Sequence, residues 1–367
     1  MKPDAADLLM TCSADRDGVP APAGFRRLGG VVCGRKYSLL IDRRAALANL
    51  LLLAAVLLVA VLALSLGSIT LSPRQALAGL FGTGEAIHVF VVQELRLVRL
   101  MAGLATGAAF SLAGCLMQTV ARNRLATPGI IGIDNGATAF AVASVVGLGV
   151  GLAPPPMALA GAATATVVTF ALACDVGTRG YRFIVAGIGV GAVFGALTQL
   201  LMMRVAIDVA NAAYPWTVGS LNARNSEALR WLLIGLLPGF AVALRLARAL
   251  TILRFSDAIA RGLGYRASAC RHAALALSVT LTALAVAVAG PVGLVALIGP
   301  EMARRLSSPR GVPLTAAMLA GALLMTLADL VGRLLLAPIE VPVGIVTAIV
   351  GAPLLLWMLL RPEARLT

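Results

Sequence analysis

The chain has 367 residues, 60% of them hydrophobic and 13% charged, and its mean hydropathy is +0.95. A soluble domain is closer to half apolar and a quarter charged, so this composition excludes a soluble enzyme or binding module and describes a polytopic membrane protein. Thirty Lys and Arg against 16 Asp and Glu give a formal charge of +14; in a soluble chain that would suggest nucleic acid, but here the excess is mostly Arg beside apolar runs, where it orients spans.

Residues 1–44 precede the first apolar run, which begins near Ala45. A signal peptide would place its apolar core earlier and follow it with a small-residue cleavage site. The segment is expected to be a polar, poorly ordered cytoplasmic extension; the alternative is a start codon assigned too early. A bilayer core of ~30 Å takes about 20 apolar residues as a helix. Ala45–Gly67 and Leu100–Ala121 meet that length without a charge. From Leu125 to Cys174 the only charge is Asp134, and Pro154-Pro155-Pro156 splits the run into two spans, because proline cannot continue a helix. Phe183–Met203 is the next span. Trp231–Leu244 is short, with Arg230 and Arg245 placed to snorkel. Ala273–Pro300 is too long for one span and is broken at Gly290-Pro291-Val292-Gly293. Val312–Ala328 and Val341–Leu360 complete a set of about ten helices.

With the N-terminus inside, 15 Lys and Arg fall in inside loops and the tail and 7 outside, and 8 more lie in the N-terminal segment. That bias agrees with an even number of spans and cytoplasmic termini. Arg96, Arg99 and Arg333 are outside charges that run against it. No internal repeat is evident. The glycines within the spans, such as Gly103, Gly107 and Gly114, are expected to serve close helix packing.

The five cysteines are scattered without metal spacing, and His88 and His272 belong to no HExxH motif, so neither a zinc site nor an intramembrane metal hydrolase is supported. Lys2 and Lys36 are the only lysines and no GxxxxGK[ST] loop exists, so this chain is expected to bind no ATP by that route. It is read as carrying no catalytic, metal or cofactor site of its own.

Three polar features stand out. The loop Arg245–Arg271 contains Leu253–Gly264, which reads as a short amphipathic helix capped by Ser256 and ended by Gly262 or Gly264. It is either a solvated loop helix or a coupling helix seated on a cytoplasmic partner. Asp329 and Arg333 are four apart and can pair on one helix face; Arg333 either completes that pair or faces outward to an acidic partner. Asp134 and Asn135 follow Pro128-Gly129 and mark a helix start, with one of them as cap.

Six blocks of the sequence, in order, resemble the FecCD-type (BtuC-like) permease family, the membrane subunits of importers for ferric siderophores, haem and cobalamin. They are Glu94–Arg99; Gly107–Gln118 running into Arg122–Gly129; Ala186–Gly191; Trp216–Asn222; Ala260–Gly264; and Leu297–Arg305 with Ala328–Arg333 and Val341–Ala348. The resemblance covers about residues 45–361. It implies an all-α type II importer permease of ten helices, with residues 362–367 as a cytoplasmic tail. It implies two permeases, the second identical or a sister, around a central path. Two ATPase subunits holding ATP and Mg lie beneath, and an extracytoplasmic substrate-binding protein docks outside. It assigns ATPase coupling to a segment at about 253–266, with Ser256, Asp257, Ala260, Arg261, Gly262, Leu263 and Gly264. It assigns binding-protein docking to Arg96, Arg99 and Arg333. Three positions depart from the family pattern: Val98 replaces the proline between two arginines, Asp134-Asn135 replaces Ser-Ser, and Glu301 follows Pro300 where histidine is common.

The sequence therefore predicts a multi-pass permease of the cytoplasmic membrane for a ferric siderophore, in contact with membrane lipid and not with nucleic acid. Gly219–Asn222 and Pro300-Glu301 lean towards a catecholate. The alternatives are a cobalamin or haem importer of the same family, and an ion-coupled carrier, which would need midplane ionisable groups for which Asp134 and Asp329 are the candidates. A membrane enzyme lacks a clustered set of His, Cys or carboxylates.

Overall fold

Asp42 opens the first span. Its Oδ1 accepts hydrogen bonds from the backbone N–H groups of Arg44 at 2.9 Å and Ala45 at 3.4 Å, which caps α1 (Arg43–Ser65). The computed structural model describes residues 25–32, 35–67, 69–147, 151–173, 181–222, 226–255, 257–308 and 311–360. Ahead of α1, strands β1 (Phe25–Val32) and β2 (Arg35–Asp42) pair antiparallel, with Phe25 opposite Asp42 and Val32 opposite Arg35. This hairpin falls within the extension expected ahead of residue 45; a reading by span length passes over runs of eight residues. The rest of that extension, residues 1–24, and the expected tail lie outside the described residues.

Two further short helices follow. Ser72 and Gln75 form a reciprocal capping box at α2 (Pro73–Leu80). Then α3 (Ala86–Phe90) runs through a π-helical turn, Val91–Leu97, into α4 (Val98–Ala121). Residues 86–121 are thus one helical run, longer than the span predicted from Leu100. Glu94, Arg96 and Arg99 do not end a helix; they only end an uncharged window.

The central post is α4. In its span 89% of the most apolar stretch is buried, against 22% for the span Phe183–Met203. Small residues let its neighbours approach, the packing mode of helices in lipid. A Cβ added at Gly107 would run into the carbonyl oxygen of Gly321, and one at Gly114 into that of Ala296. Ser111 Oγ donates to Ala317 O at 2.5 Å.

A 3-10 turn, Pro128–Ile131, leads into α5 (Ile133–Val146). As expected, the triple proline separates α5 from α6 (Pro154–Leu172), where it forms the first turn. Next come α7 (Tyr181–Met203) and α8 (Ile207–Val218), the latter not anticipated. α9 (Ser226–Leu253) is 28 residues long, not the short span of the sequence reading. Its helix continues through Arg245 and Arg248, which are good helix formers. α10 (Asp257–Gly262) is the short loop helix, and α11 (Ala267–Ala289) ends at the Gly290-Pro291 break. α12 (Gly293–Leu306), α13 (Leu314–Leu334) and α14 (Val343–Leu360) complete the fold. Among the described residues seven helices are long and apolar enough to cross a membrane, and α5 and α14 are shorter apolar helices. With the 14-residue α12 these account for the ten expected. α4 packs on α13, α11, α12 and α9, while α5, α6 and α7 form a second group.

At one junction three backbones meet. Gly219 has φ +82°, a conformation that costs a side chain dearly; Ser220 N donates to Ala289 O at 2.7 Å, and Gly344 N to Gly219 O at 3.2 Å. The ends of α8, α11 and α14 are thereby pinned together beside Leu221 and Asn222.

Candidate functional site

The helix α4 is 24 residues long, so its two ends stand about 36 Å apart at 1.5 Å per residue. Polar groups gather at both. At the N-terminal end a cavity of about 770 Å³ is lined by the π-helical turn, the end of α13 and the segment leading to α14, with Asn222 also present. Arg96, Arg99 and Arg333 all face it, together with Glu94 and Glu340.

Each guanidinium there is engaged. Arg99 Nε donates to Asp329 Oδ1 and Oδ2 at 3.0 and 3.1 Å, and its Nη1 donates to Glu340 Oε2 at 2.8 Å. Arg333 Nε lies 3.2 Å from Asp329 Oδ2. Asp329 therefore sits between two arginines with its side chain 8% exposed. Arg96 is 7% exposed; its Nη1 donates to Leu64 O at 2.6 Å and Ser65 O at 3.0 Å, and its Nη2 to Ile69 O. Leu64 and Ser65 end α1, where intrahelical donors run out, and Ile69 lies just beyond it. The three cations that looked anomalous in the sequence are thus neutralised or hydrogen-bonded where they stand. Arg96 fastens α1 to the start of α4, whereas Arg99 and Glu340 reach the rim. Glu340 had no signal in the sequence, since its partner is 241 residues away.

The polar cluster at the start of α5 is placed differently from the expectation. Gly132 is the N-cap, and neither Asp134 nor Asn135 caps the helix; both lie in its first turn. Gly132 can approach α7 where a capping side chain could not: a Cβ there would lie 3.0 Å from Gly191 N. Asn135 Nδ2 donates to Gly191 O at 3.0 Å, joining α5 to α7. Asp134 turns its carboxylate towards Gly129 and Gly293, the first residue of α12, where the positive end of a helix favours an anion.

At the other end of α4 the chain turns at Arg122, whose Nε donates to Leu253 O at 2.8 Å. This binds the end of α4 to the end of α9, just ahead of α10. Arg254 Nη1 donates to Gly311 O at 3.1 Å. A recess of about 220 Å³ between them is lined by Arg122, Arg124, Arg254 and Arg304. Glu301, 2% exposed, accepts from Arg304 Nε and Nη2 at 3.2 and 3.0 Å and from Arg305 Nε at 3.1 Å. The i,i+3 and i,i+4 spacing was a readable signal for these pairs.

α10 stands on this base. Ala260 is fully buried and packs with Leu253 and Ala267. Gly264, φ +80°, ends the segment: its N–H donates to Arg261 O and the N–H of Tyr265 to Ala260 O, the bond pair of a Schellman motif. Of the two glycines proposed as stops, Gly264 is the one in the left-handed conformation. Gly262 is the last helical residue and has open space around its Cα. Ile259 and Leu263, 49% and 61% exposed, lie four apart on the opposite face, and Phe255, 72% exposed, stands in the turn between α9 and α10. Phe255 and Ile259 were not singled out, although their spacing with Leu263 is visible in the sequence. Ser256 lies outside the described residues, and Asp257 is placed as the first residue of α10. Among the described residues no group of His, Cys, Asp or Glu could hold a metal ion.

An all-helical membrane bundle with a charge-balanced cavity at one end of its central helix and a small exposed apolar face at the other defines the class: a multi-pass transport protein. A family model described as the FecCD transport family matches residues 53–361, and this chain belongs to that family. It is 34% identical over 327 residues to the Fe(3+)-citrate import system permease protein YfmE of Bacillus subtilis (strain 168), covering 88% of this chain and 97% of that one. It is 33% identical over 330 residues to the ferric enterobactin transport system permease protein FepG of Escherichia coli (strain K12), covering 89% and 99%. A solved inward-facing structure, assigned to an ABC transporter of metal-chelate type, superposes with a TM-score of 0.75 at 26% identity, covering 87% of this chain and all of that chain.

Proposed function

We propose that this chain is the permease subunit of an ATP-binding-cassette importer that moves a ferric siderophore across the cytoplasmic membrane by alternating access. The observation that carries the reading is the match to permeases of ferric-chelate import along nearly their whole length. ATP and Mg act on two partner ATPase subunits, and a second permease, itself or a sister, closes the path. The termini and α10 face the cytoplasm, in line with the excess of arginine at that end.

The residues divide the work. Phe255, Ile259 and Leu263 offer an apolar stripe suited to a groove on an ATPase, while Ala260 and the α4–α9 tie at Arg122 pass its displacement into the central post. At the outer end Arg99, Arg333 and Glu340 offer charges to a substrate-binding protein that docks from outside. Arg96 supports that rim from below. The bound arginines around Asp329 argue against an ion-coupled carrier, because its carboxylate already has two permanent counter-charges.

The test is uptake of radiolabelled ferric siderophores by proteoliposomes containing this chain with its ATPase and sister permease, and binding protein outside. The reading expects ATP-dependent accumulation. A complex that hydrolyses ATP but takes up cobalamin or haem and no ferric siderophore would replace the substrate. Uptake driven by an ion gradient without ATP, and abolished in Asp134→Asn, would replace the mechanism.

A further inference from the structure

A second cavity, of about 580 Å³, adjoins the arginine-lined recess at the C-terminal end of α4 and shares Gly311, Val312 and Pro313 with it. It is bordered by the start of α1, the end of α9, Tyr265, Ser307, Ser308 and the segment from Gly311 into α13. α1 begins at Arg43, α9 ends at Leu253 and α13 begins at Leu314, so the cavity sits at one end of three membrane-length apolar helices, which the proposed function puts at headgroup depth. Its wall is apolar on one side, with Ala45, Ile252 and Leu314, and polar on the other.

The polar side is incompletely paired. Arg248 is exposed and has neither a hydrogen bond nor an ion pair among the described residues. The Asn49 Oδ1 and Ser307 Oγ atoms are buried without a hydrogen-bond partner, and Ser307 is only 3% exposed. Buried polar atoms of this kind ordinarily find a partner. Arg248 calls for an anion and Asn49 Oδ1 for a donor, and the Asp42 carboxylate lines the same wall. Just outside, α1 shows Leu47, Leu50 and Leu51, 57–63% exposed, a ready track for acyl chains.

We propose that this cavity is a binding site for the headgroup of an aminophospholipid, phosphatidylethanolamine. Its phosphate sits on the Arg248 guanidinium, in the bidentate manner that arginine favours. Its primary ammonium donates to Asn49 Oδ1, which a rotation of that side chain brings to the cavity. Among the described lining residues Arg248 and Asp42 carry the charges, and they match the two charges of the headgroup. Phosphatidylcholine has the same charges but no N–H to donate, and phosphatidylglycerol has no cation, so the chemistry separates the three.

The experiment is native mass spectrometry of the assembled, delipidated importer titrated with each of the three lipids, for the wild type, Arg248→Gln, Arg248→Lys and Asn49→Leu. Lipid retention is the readout, so the result does not depend on the transported substrate. One phosphatidylethanolamine per permease is expected to outlast the other lipids. Retention should fall about tenfold in Arg248→Gln and in Asn49→Leu, as loss of a charge-assisted hydrogen bond implies, and recover in part in Arg248→Lys. Thermal unfolding of each variant separates loss of the site from loss of the fold. Equal retention of all three lipids would leave only annular lipid and overturn the assignment. Displacement of the bound species by millimolar inorganic phosphate would give the site to a soluble anion and overturn it equally.

Discussion

The two ends of α4 carry polar groups in opposite ways. At the N-terminal end, the outer one under the proposed function, charge is buried and balanced: Asp329 holds Arg99 and Arg333, and Glu340 closes over Arg99 at 2.8 Å. At the inner end the working surface is apolar and bare, with Phe255 72% and Leu263 61% exposed above a base fixed by Arg122 and Ala260. A buried ion network fixes geometry, since breaking one member strands the rest, and leaves its half-exposed rim at Glu340 to meet a partner. An exposed apolar stripe adds little to the fold and is suited to a partner that must seat and push. Under the proposed function, the difference gives rigidity with a charged rim to one end and an apolar contact to the other.

The sharpest way to break this contrast is to unbalance the rigid end. Asp329→Ala leaves Arg333 with no carboxylate and Arg99 with Glu340 alone, and should cost about 3–5 kcal/mol, the usual penalty for stranding a buried charge. Thermal unfolding in detergent and yield of folded protein would show it; a melting temperature equal to that of the wild type would mean that the network does not hold the outer end. Gly114→Ala comes next. The added methyl meets the carbonyl of Ala296, so α4 and α12 must part, at about 1–3 kcal/mol for an overpacked contact. An unchanged melting temperature would show that the helices already stand further apart. Glu340→Gln should do least. Its side chain is 40% exposed, and a half-exposed ion pair is worth about 1 kcal/mol or less and weakens with salt. A loss as large as that of Asp329→Ala would make the rim part of the rigid core.

Much of the helical plan could be read from apolar length and from proline and glycine. Pro154 opens α6 and Gly290 closes α11 where the sequence put the breaks, because these residues act through their own backbone. The rule of uncharged length failed where charge sits within a helix. It cut α9 short at Arg245 and began the second span at Leu100, since arginine is compatible with both a helix and an interface. The eight-residue strands of the hairpin and the helix α8 carried no span signal at all. At the site, Asp329 with Arg333 was visible because both lie on one helix. Glu340 with Arg99, and Arg96 with the carbonyls of α1, were not, because those partners are remote in the chain and meet only through tertiary packing. The stripe of Phe255, Ile259 and Leu263 had the right spacing, yet spacing alone does not say which side of a six-residue helix is seated on the protein.

The contact role of the inner end is tested most directly by measuring ATP hydrolysis and ferric-siderophore uptake on the same proteoliposomes, for wild type and for Phe255→Ser with Leu263→Ser. These residues are exposed, so stability should stay within about 0.5 kcal/mol of the wild type. The account predicts that uptake per ATP hydrolysed falls at least about tenfold, the scale of losing some 1.4 kcal/mol of partner contact, with the fold unchanged. Uptake per ATP equal to that of the wild type in the double variant would show that α10 does not carry the coupling.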